Sequence, residues 1–392
     1  MACCGGDAYS SIVADADVLD AGADAGVPMT IEDSAAPTPD SPGPCDGLDL
    51  KSNQENCGVC GHGCQGGACA MGACQPVTIA SGLTNPRNLA IDAKKGDVYW
   101  TNEGPCDQYD NNCMGNVLRL AANGKEGEAT ILAMNQARPT GIALDETSVY
   151  GANGGSGNIM RLPIDGTGQA AVFVSNQQDV VDLTVDAEAV YWCVFNGGIR
   201  TRGKQPNAQD REIVFIGQQP SGIGVDPATH VLYFSVPSVT NNNNPDVKDG
   251  TLRYVHPEGG APTIIADNQN GLGAPTVLGK TVFWASTGEG TVSFAAPTGG
   301  QGTKILATAQ SRPKRVAVDE THVYWTTLGS LGDGGDVGDG AIVRVPRAGG
   351  VPETVAKEQL RASAIAVDAK SIYWFTLGTR NKPNGTLMKL AK

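Results

Sequence analysis

The side chains best suited to bind a ligand are six cations that lie in short segments between predicted strands. They are Arg87, Arg138, Arg312, Lys314, Arg315 and Arg361. A guanidinium group offers paired donors to a carboxylate, sulfate or phosphate, so a cluster of this kind favours the binding of an anion. Asn88 and Asp182 are predicted to lie at the inner ends of strands and complete the candidate ligand-binding site.

Acidic loops give the same cations a second interpretation. The carboxylates predicted on the same face are Glu103, Asp107, Asp110, Asp246, Asp249, Asp333, Asp336 and Asp339. They offer partners for the arginines within the molecule, and exposed ion pairs contribute only about 0–1 kcal/mol each. The sequence therefore leaves both an anion site and simple charge balance open.

One of these loops also has the composition of a calcium site. In Asp333-Gly-Gly-Asp336-Val-Gly-Asp339-Gly340, three carboxylates recur at intervals of three residues. Hard oxygen ligands on a flexible loop suit Ca²⁺, although the spacing differs from that of an EF-hand. Ca²⁺ is thus the one candidate cofactor, with Asp333, Asp336 and Asp339 as its candidate ligands, and a plain flexible loop is the alternative.

Catalytic groups are harder to assemble. The four histidines are His62, His230, His256 and His322. All four are predicted away from the face that carries the cations, and no glutamate is predicted beside Asn88 and Asp182. Acid–base chemistry needs such a partner, and the sequence contains no Gly-x-Ser-x-Gly, phosphate-loop or dinucleotide-binding motif. We therefore predict no catalytic residues.

The elements that position these residues are repeats. Seven segments combine a hydrophobic run, such as Val316-Ala-Val-Asp319, with Tyr-Trp or a relative of it, such as Tyr324-Trp325. The first aromatic residues of the seven segments are Tyr99, Tyr150, Tyr191, Tyr233, Phe283, Tyr324 and Tyr373. Their spacing of 41 to 51 residues, with several short strands in each unit, is typical of a β-propeller. We predict an all-β fold, a seven-bladed β-propeller over residues 76–392, with four strands, a to d, in each blade.

The ends of the repeat region predict how the ring closes. The seventh unit stops after its third strand, whereas Val77-Thr-Ile-Ala80 supplies a strand ahead of the first unit. An N-terminal strand that completes the last blade leaves no open edge. The five tryptophans share one repeat position, so we expect them to pack between blades. The repeated aspartate is expected to cap the turn between strands a and b.

The repeat unit Tyr99-Trp-Thr-Asn102 resembles the YWTD repeats of lipoprotein-receptor propellers and, more loosely, NHL and gluconolactonase-like propellers. The resemblance covers about residues 76–392 and is carried by strands a to c. It implies a binding surface on the mouth, the face formed by the d–a and b–c loops, for a protein or a glycan. Some members of these families are metal-dependent lyases or lactonases. The resemblance therefore keeps an enzyme open as the first alternative, with a structural scaffold as the second.

The cysteines indicate an oxidising compartment. Six of the eleven cysteines are Cys45, Cys57, Cys60, Cys64, Cys69 and Cys74. The module of residues 45–75 that contains them is too small to bury enough apolar surface, so disulfides or a metal must hold it. The ligands do not separate into the two pairs of a zinc ribbon, which favours three disulfides of undetermined pairing. Cys106 and Cys113 are expected to form another disulfide, which leaves Cys193 as a lone buried thiol.

The N-terminal segment has the composition of a disordered tether. Residues 1–44 carry eight acids and no base and are rich in alanine, proline, serine and glycine. Ala2-Cys3 resembles the end of a bacterial lipoprotein cleavage box. We therefore expect an export signal upstream of the recorded start and a lipid on Cys3; an ordinary cytosolic start is the alternative.

The distribution of charge limits the partners. The net charge is −13, of which the first 75 residues carry −10 and the remaining 317 carry −3. This balance excludes a strongly basic nucleic-acid binder, and no run reaches the roughly eighteen apolar residues of a membrane helix. We expect an extracytoplasmic monomer, on the outer surface or in the periplasm. Its expected partner is an anionic glycan, an envelope component or a protein ligand.

Overall fold

The computed structural model describes residues 45, 47–106, 113–177, 179–237, 248–296, 301–332, 335–379 and 382–392. The chain divides into two units, residues 1–46 and 47–392, and the fold below is that of the second unit. Its described residues form strands and turns, and they include no helix long and apolar enough to cross a membrane. The predicted tether and the predicted lipidation site at Cys3 lie outside the described residues.

The described strands are numbered along the chain. Ahead of the first blade lie β1 (Cys69–Ala70), β2 (Ala73–Cys74) and β3 (Val77–Leu83). Blades 1 and 2 contain β4 (Pro86–Ile91), β5 (Val98–Asn102), β6 (Met114–Leu120), β7 (Thr130–Ala137), β8 (Pro139–Leu144), β9 (Ser148–Asn153), β10 (Asn158–Pro163) and β11 (Ala171–Val174). Blades 3 and 4 contain β12 (Val180–Val185), β13 (Ala189–Val194), β14 (Gly198–Gly203), β15 (Asp210–Phe215), β16 (Gly222–Val225), β17 (Leu232–Val236), β18 (Gly250–Val255) and β19 (Thr263–Gln269).

The remaining strands complete the ring. Blade 5 contains β20 (Thr276–Leu278), β21 (Thr281–Ser286), β22 (Thr291–Ala296) and β23 (Gln301–Ala307). Blade 6 contains β24 (Pro313–Val318), β25 (His322–Thr327), β28 (Ala341–Pro346) and β29 (Glu353–Ala356), with the small hairpin β26 (Leu331–Gly332) and β27 (Gly335–Asp336) in its b–c loop. Blade 7 contains β30 (Ala362–Val367), β31 (Ser371–Thr376) and β32 (Gly385–Ala391).

The described strands form seven four-stranded antiparallel sheets, which confirms the predicted seven-bladed propeller. Within each sheet, strands a to c follow one another along the chain, as in the order β4-β5-β6-β7 of blade 1. Strand a of every blade contacts strand a of both neighbouring blades, and β30 of blade 7 contacts β4 of blade 1. The seven strands a therefore surround a common axis in a closed ring.

Ring closure depends on the strand ahead of the first blade, as predicted. β3 pairs with β32 and forms the outer strand of blade 7. Ile79 and Leu83 of β3 are buried in one cluster with Phe375 of blade 7 and Trp100 of blade 1. The closing strand thus contributes both backbone hydrogen bonds and apolar contacts to the junction between the last and first blades.

Disulfides hold the cysteine-rich segment, as the spacing favoured. Cys57 bonds to Cys69 and Cys64 bonds to Cys74, while Cys45 and Cys60 are also disulfide-bonded. Oxidised sulfurs are not thiolate ligands, so the zinc interpretation fails for these cysteines. Cys193 is a free buried thiol, as predicted.

The cysteine-rich segment packs directly on the propeller. The Nε2 atom of His62 lies 2.7 Å from the backbone oxygen of Lys392, at the end of blade 7. Cys74 also packs against the buried cluster of blades 6 and 7 that contains Tyr324 and Leu390. These contacts anchor residues 57–74 to the last two blades.

In blades 2, 3, 6 and 7, the tyrosine of the repeat binds the aspartate that ends strand a. The hydroxyl groups of Tyr150, Tyr191, Tyr324 and Tyr373 donate to the Oδ2 atoms of Asp145, Asp186, Asp319 and Asp368, five residues earlier, over 2.9–3.0 Å. The other carboxylate oxygen accepts from the backbone of the a–b turn, for example from Thr321 and His322 in blade 6. The expected turn cap is therefore present, and it also fixes the tyrosine.

The tryptophan of the pair is held by the preceding blade. The five indole rings are buried, and each packs on the blade before its own; Trp374, for example, contacts Tyr324 and Ile342 of blade 6. The Nε1 atoms of Trp192, Trp284, Trp325 and Trp374 donate to the side chains of Gln177, Gln269, Gln310 and Gln359, fifteen residues earlier, over 2.9–3.2 Å. Each glutamine lies at the end of strand d of the preceding blade, so this hydrogen bond joins two blades.

Exceptions to this pattern are consistent with its chemistry. Blade 4 has Phe234 in place of the tryptophan. The position of the glutamine is occupied there by Gly217, which is identified by its backbone hydrogen bond to Gly197. Phenylalanine has no N–H group, so no acceptor is needed there. In the closing strand β3, the position of the glutamine is occupied by Leu83, which pairs with Gly385 of β32. Trp100 accordingly has an Nε1 atom with no partner among the described residues.

Replacement of Gln359 by leucine should lower the free energy of unfolding by about 1–3 kcal/mol, because it leaves the buried indole N–H of Trp374 without an acceptor. Equilibrium urea unfolding measures the change. Gln209→Leu is the matched control, since Gln209 is exposed, and it should stay within about 0.5 kcal/mol of the parent. Equal effects of the two substitutions would contradict a role for the hydrogen bond between blades.

Deletion of residues 1–83 should lower the melting temperature sharply or cause aggregation, because it removes β3 and leaves β32 with an unpaired edge. Deletion of residues 1–75 removes the cysteine-rich segment but retains β3, and should cost much less. Thermal unfolding of both truncations checks the difference. If the two variants are equally stable, the assigned closing strand is wrong.

Candidate ligand-binding site

The described inner strands and mouth loops enclose an axial cavity of about 1180 Å³. Its walls come from the beginnings of β4, β8, β12, β24 and β30 and from the b–c loops of blades 1, 3 and 7. Among the candidate residues, those that line it are Arg87, Asn88, Arg138, Asp182, Lys314, Arg315 and Arg361. Arg312 does not line it. The structure therefore brings seven of the eight predicted ligand-binding residues to one cavity.

A repeated bulge explains why these side chains reach the axis. Strand a was predicted to begin at Leu89 in blade 1, but β4 begins at Pro86, with an irregular register between Pro86 and Leu89. Strands β8, β12, β24 and β30 have an equivalent irregularity. Arg87, Lys314 and Arg315 thus belong to inner strands and not to loops, which corrects the prediction, whereas Asn88 lies on an inner strand as predicted. Bulges commonly redirect side chains beside functional sites.

Three non-adjacent blades meet on the axis. The Nδ2 atom of Asn88, from blade 1, donates to Oδ1 of Asp182, from blade 3, over 3.2 Å. An Nη1 atom of Arg315, from blade 6, lies 3.8 Å from Oδ2 of the same carboxylate. Asp182 thus lies at the axis, in contact with two of the other candidate residues.

Asp182 is buried, and burial raises the pKa of its carboxyl group. The charge of Arg315 and hydrogen bonds from the backbone of Leu183 and Ile223 and from Asn88 act in the opposite direction. Desolvation disfavours the charged form, whereas each of these donors favours it. Desolvation outweighs these donors, so the pKa of Asp182 lies above its ordinary value.

Besides Arg315, two more of the arginines have carboxylate partners, so the alternative of internal pairing is realised in part. An Nη2 atom of Arg87 lies 2.7 Å from Oε1 of Glu103, and an Nη2 atom of Arg138 lies 2.7 Å from Oδ1 of Asp179. Glu103 also lines the cavity with Asn88 and Asp182, which corrects the expectation that no glutamate joins them. Its hydrogen bond to Arg87 makes it a positioning partner for that cation.

Arg312 and Arg361 occupy the same repeat position. Both have positive φ angles, of 56° and 54°, and both donate Nη1 to the carbonyl oxygen of a glycine seventeen residues later, Gly329 or Gly378. Arg361 lines the axial cavity, whereas Arg312 does not. The two residues therefore differ in position relative to the cavity and agree in local geometry.

Lys314 is the cation whose surroundings are most unusual. It lines the cavity, and within the described part of the chain its Nζ atom has no carboxylate within 4.0 Å and no hydrogen bond. Burial and, to a smaller extent, the charges of Arg315, Arg312 and Arg87 together lower its pKa to about 8. Since Arg87 belongs to blade 1 and Lys314 to blade 6, the ammonium group must face the axis.

A disulfide stabilises one wall of the cavity. Cys106 and Cys113, which bracket the first b–c loop, are bonded as predicted, and both line the cavity. Their sulfur atoms lie near Glu103, but a disulfide offers no thiolate to a metal. The segment between them, which holds Asp107 and Asp110, lies outside the described residues.

The predicted calcium loop is described in part. Asp333 lies outside the described residues, and only the backbone of Asp336 is described, paired with Leu331. Asp339 accepts hydrogen bonds from the backbone and the hydroxyl group of Ser330, both over 2.7 Å. These hydrogen bonds lower its pKa. In this structure Asp339 thus caps its own loop.

The residues that sequence reasoning missed are Thr140 and Ser363, which line the cavity at the repeat position of Arg87 and Lys314. Alignment of the strands a on their hydrophobic residues would have found them. Thr140 donates to the carbonyl oxygen of Val180 in the next blade, over 3.0 Å. The four histidines are not among the described lining residues, in agreement with the predicted positions.

Comparisons with known proteins bear on the fold. The sequence matches no known protein family and no curated protein. Among solved structures, virginiamycin B lyase from Staphylococcus aureus is 15% identical with a TM-score of 0.57, and the match covers 81% of this chain and 98% of the lyase chain. Hydrazine synthase from Kuenenia stuttgartiensis is 11% identical with a TM-score of 0.59 (79% and 97% covered). A computationally designed protein is 15% identical with a TM-score of 0.54 (80% and 99% covered).

These matches show the propeller fold alone. A lyase, a synthase and a designed protein share the architecture at low identity, so the fold does not determine an activity. The function of this chain must therefore be argued from its own cavity.

Proposed function

We propose that the protein is an exported binding protein whose axial cavity recognises an anionic group on a glycan or other envelope polymer. The observation that carries the proposal is the position of Lys314, a half-buried cation that lines the cavity and has no carboxylate partner in the described part of the chain. Five cations and three carboxylates line the described cavity. An incoming carboxylate, sulfate or phosphate would supply the missing counter-charge.

The paired arginines would assist this binding. Arg87 is half exposed although it contacts Glu103, and exposed ion pairs contribute only about 0–1 kcal/mol. Its remaining donors are therefore available at small cost to a ligand. The cavity, at about 1180 Å³, exceeds the roughly 300–1,000 Å³ of pockets for drug-sized molecules. This size favours a segment of a polymer over a single small ion.

The disulfides support export. Bonds such as Cys57–Cys69 and Cys106–Cys113 persist in oxidising compartments and are rare in a reducing cytosol. We extend the proposal to a monomer at the outer surface or in the periplasm, tethered through residues 1–44 and a lipid on Cys3. Calcium binding by the loop of Asp333, Asp336 and Asp339 would serve to order the mouth.

A lyase or lactonase is the alternative function, and a structural scaffold is the second. Both differ from the binding proposal in what a ligand screen would show. An enzyme would convert a substrate, whereas a scaffold would bind no anionic polymer. The partner of the binding protein could also be an acidic protein, which a competition experiment with the polymer would reveal.

Replacement of Arg361 by alanine should weaken binding to an acidic polysaccharide such as polygalacturonate about tenfold, because a charge-assisted hydrogen bond contributes about 1.5–3 kcal/mol. Isothermal titration calorimetry with the full-length protein measures the affinity. Binding of the parent should also weaken as salt increases, since exposed charges are screened beyond ~8 Å at physiological ionic strength.

Arg312→Ala is the matched control for this experiment. Arg312 makes the same local hydrogen bond as Arg361 but lies outside the cavity lining, so its loss should change affinity less than about twofold. A neutral polysaccharide such as dextran should not bind. Salt-insensitive binding, or equal losses for the two variants, would show that the cations serve only as charge balance.

A further inference from the structure

Lys314 combines three features that a purely ionic contact does not need. It is half-buried, it lines the cavity with cations from blades 1 and 6, and its Nζ atom has no carboxylate within 4.0 Å among the described residues. A lysine in an exposed anion-binding cluster would keep its ordinary pKa and its water shell. Desolvation together with neighbouring positive charge favours the neutral amine, which is the nucleophilic form of lysine.

The fraction of free amine follows from this environment. Burial and the charges of Arg315, Arg312 and Arg87 lower the pKa of Lys314 to about 8. About a quarter of the Lys314 side chains would then be uncharged at pH 7.5, against roughly a thousandth for an exposed lysine with a pKa near 10.4. The cavity thus holds a reactive amine among guanidinium groups that attract anions.

We propose that the Lys314 amine condenses with an anionic aldehyde or ketone bound in the axial cavity and forms an imine. The inference rests on the proposed function and names the chemical class of its ligand. Arg87, Arg315 and Arg361 line the same cavity and would bind the carboxylate or phosphate of the compound. The open-chain uronic acid at the end of an acidic glycan is one such compound, because it carries both an aldehyde and a carboxylate.

The reaction balances without a further reagent. The nitrogen lone pair attacks the carbonyl carbon, and a proton moves from nitrogen to oxygen to give a carbinolamine. The C–O bond then breaks, and the oxygen leaves as water with both protons that the amine nitrogen has lost. The product is a carbon–nitrogen double bond to Nζ, which water can hydrolyse back to the amine and the carbonyl compound.

Pyridoxal 5′-phosphate is a suitable probe, because it carries an aldehyde and a phosphate. The full-length protein is incubated with the probe and reduced with borohydride, and the labelled lysine is identified by peptide mass mapping. We expect labelling at Lys314 at least tenfold faster than at the exposed Lys125. Pyridoxal, which lacks the phosphate, should label Lys314 at least tenfold more slowly than the phosphorylated probe.

The pH profile separates a tuned amine from an accessible one. The free amine is the nucleophile, so labelling of Lys314 should rise through pH 8, where about half of the side chains are neutral, and level off above about pH 9. Labelling of Lys125 should continue to rise toward pH 10, as an ordinary lysine does. Identical profiles for the two lysines would overturn the inference.

Two further measurements distinguish failure of this inference from failure of the proposed function. Pyridoxine 5′-phosphate has the phosphate but no aldehyde, so it should bind the parent protein without labelling it, whereas pyridoxal 5′-phosphate should both bind and, after reduction, label Lys314. Phosphate binding without selective labelling at Lys314 overturns the imine and leaves the anion site standing. Absence of both overturns the two proposals together.

Discussion

The structure depends on the way the Tyr-Trp pairs of blades 3, 6 and 7 are held at both ends. In blade 7, the hydroxyl group of Tyr373 donates to Asp368 of its own blade, and the indole of Trp374 donates to Gln359 of the preceding blade. The first hydrogen bond fixes the a–b turn, and the second joins neighbouring blades at a buried position. A buried N–H group without an acceptor costs about 1–3 kcal/mol, so the orientation of successive blades is strongly specified.

This constraint creates the cavity. Seven blades joined in one orientation bring their inner strands around an axis, where residues far apart in the chain meet. Asn88 and Asp182 are 94 residues apart and share a hydrogen bond. For the same reason, the charge of Arg87 in blade 1 lowers the pKa of Lys314 in blade 6. The cluster of cations is therefore a consequence of ring closure, and its shortage of counter-charge is the feature that points to a ligand.

The sequence predicted the repeat because aromatic pairs, strand-ending aspartates and the strand at Val77 recur at fixed intervals. It did not predict the glutamines, since Gln359 and its equivalents lie in turns that are rich in polar residues and act on the next blade. The depth of Asp182 was also missed, because blade order gives neighbours but not distances across the axis. Arg312 and Arg361 share one local pattern, so only the folded ring shows which of them reaches the cavity.

A double-mutant cycle on Asn88 and Asp182 tests most directly whether inner strands of non-adjacent blades meet on the axis. Free energies of unfolding are measured for Asn88→Ala, Asp182→Ala and the double variant, with Asp182 and Arg312 as a non-contacting control pair. The account predicts a coupling energy of about 0.5–3 kcal/mol for Asn88 and Asp182 and additivity for the control pair. Additive effects at Asn88 and Asp182, within about 0.3–0.5 kcal/mol, would contradict it.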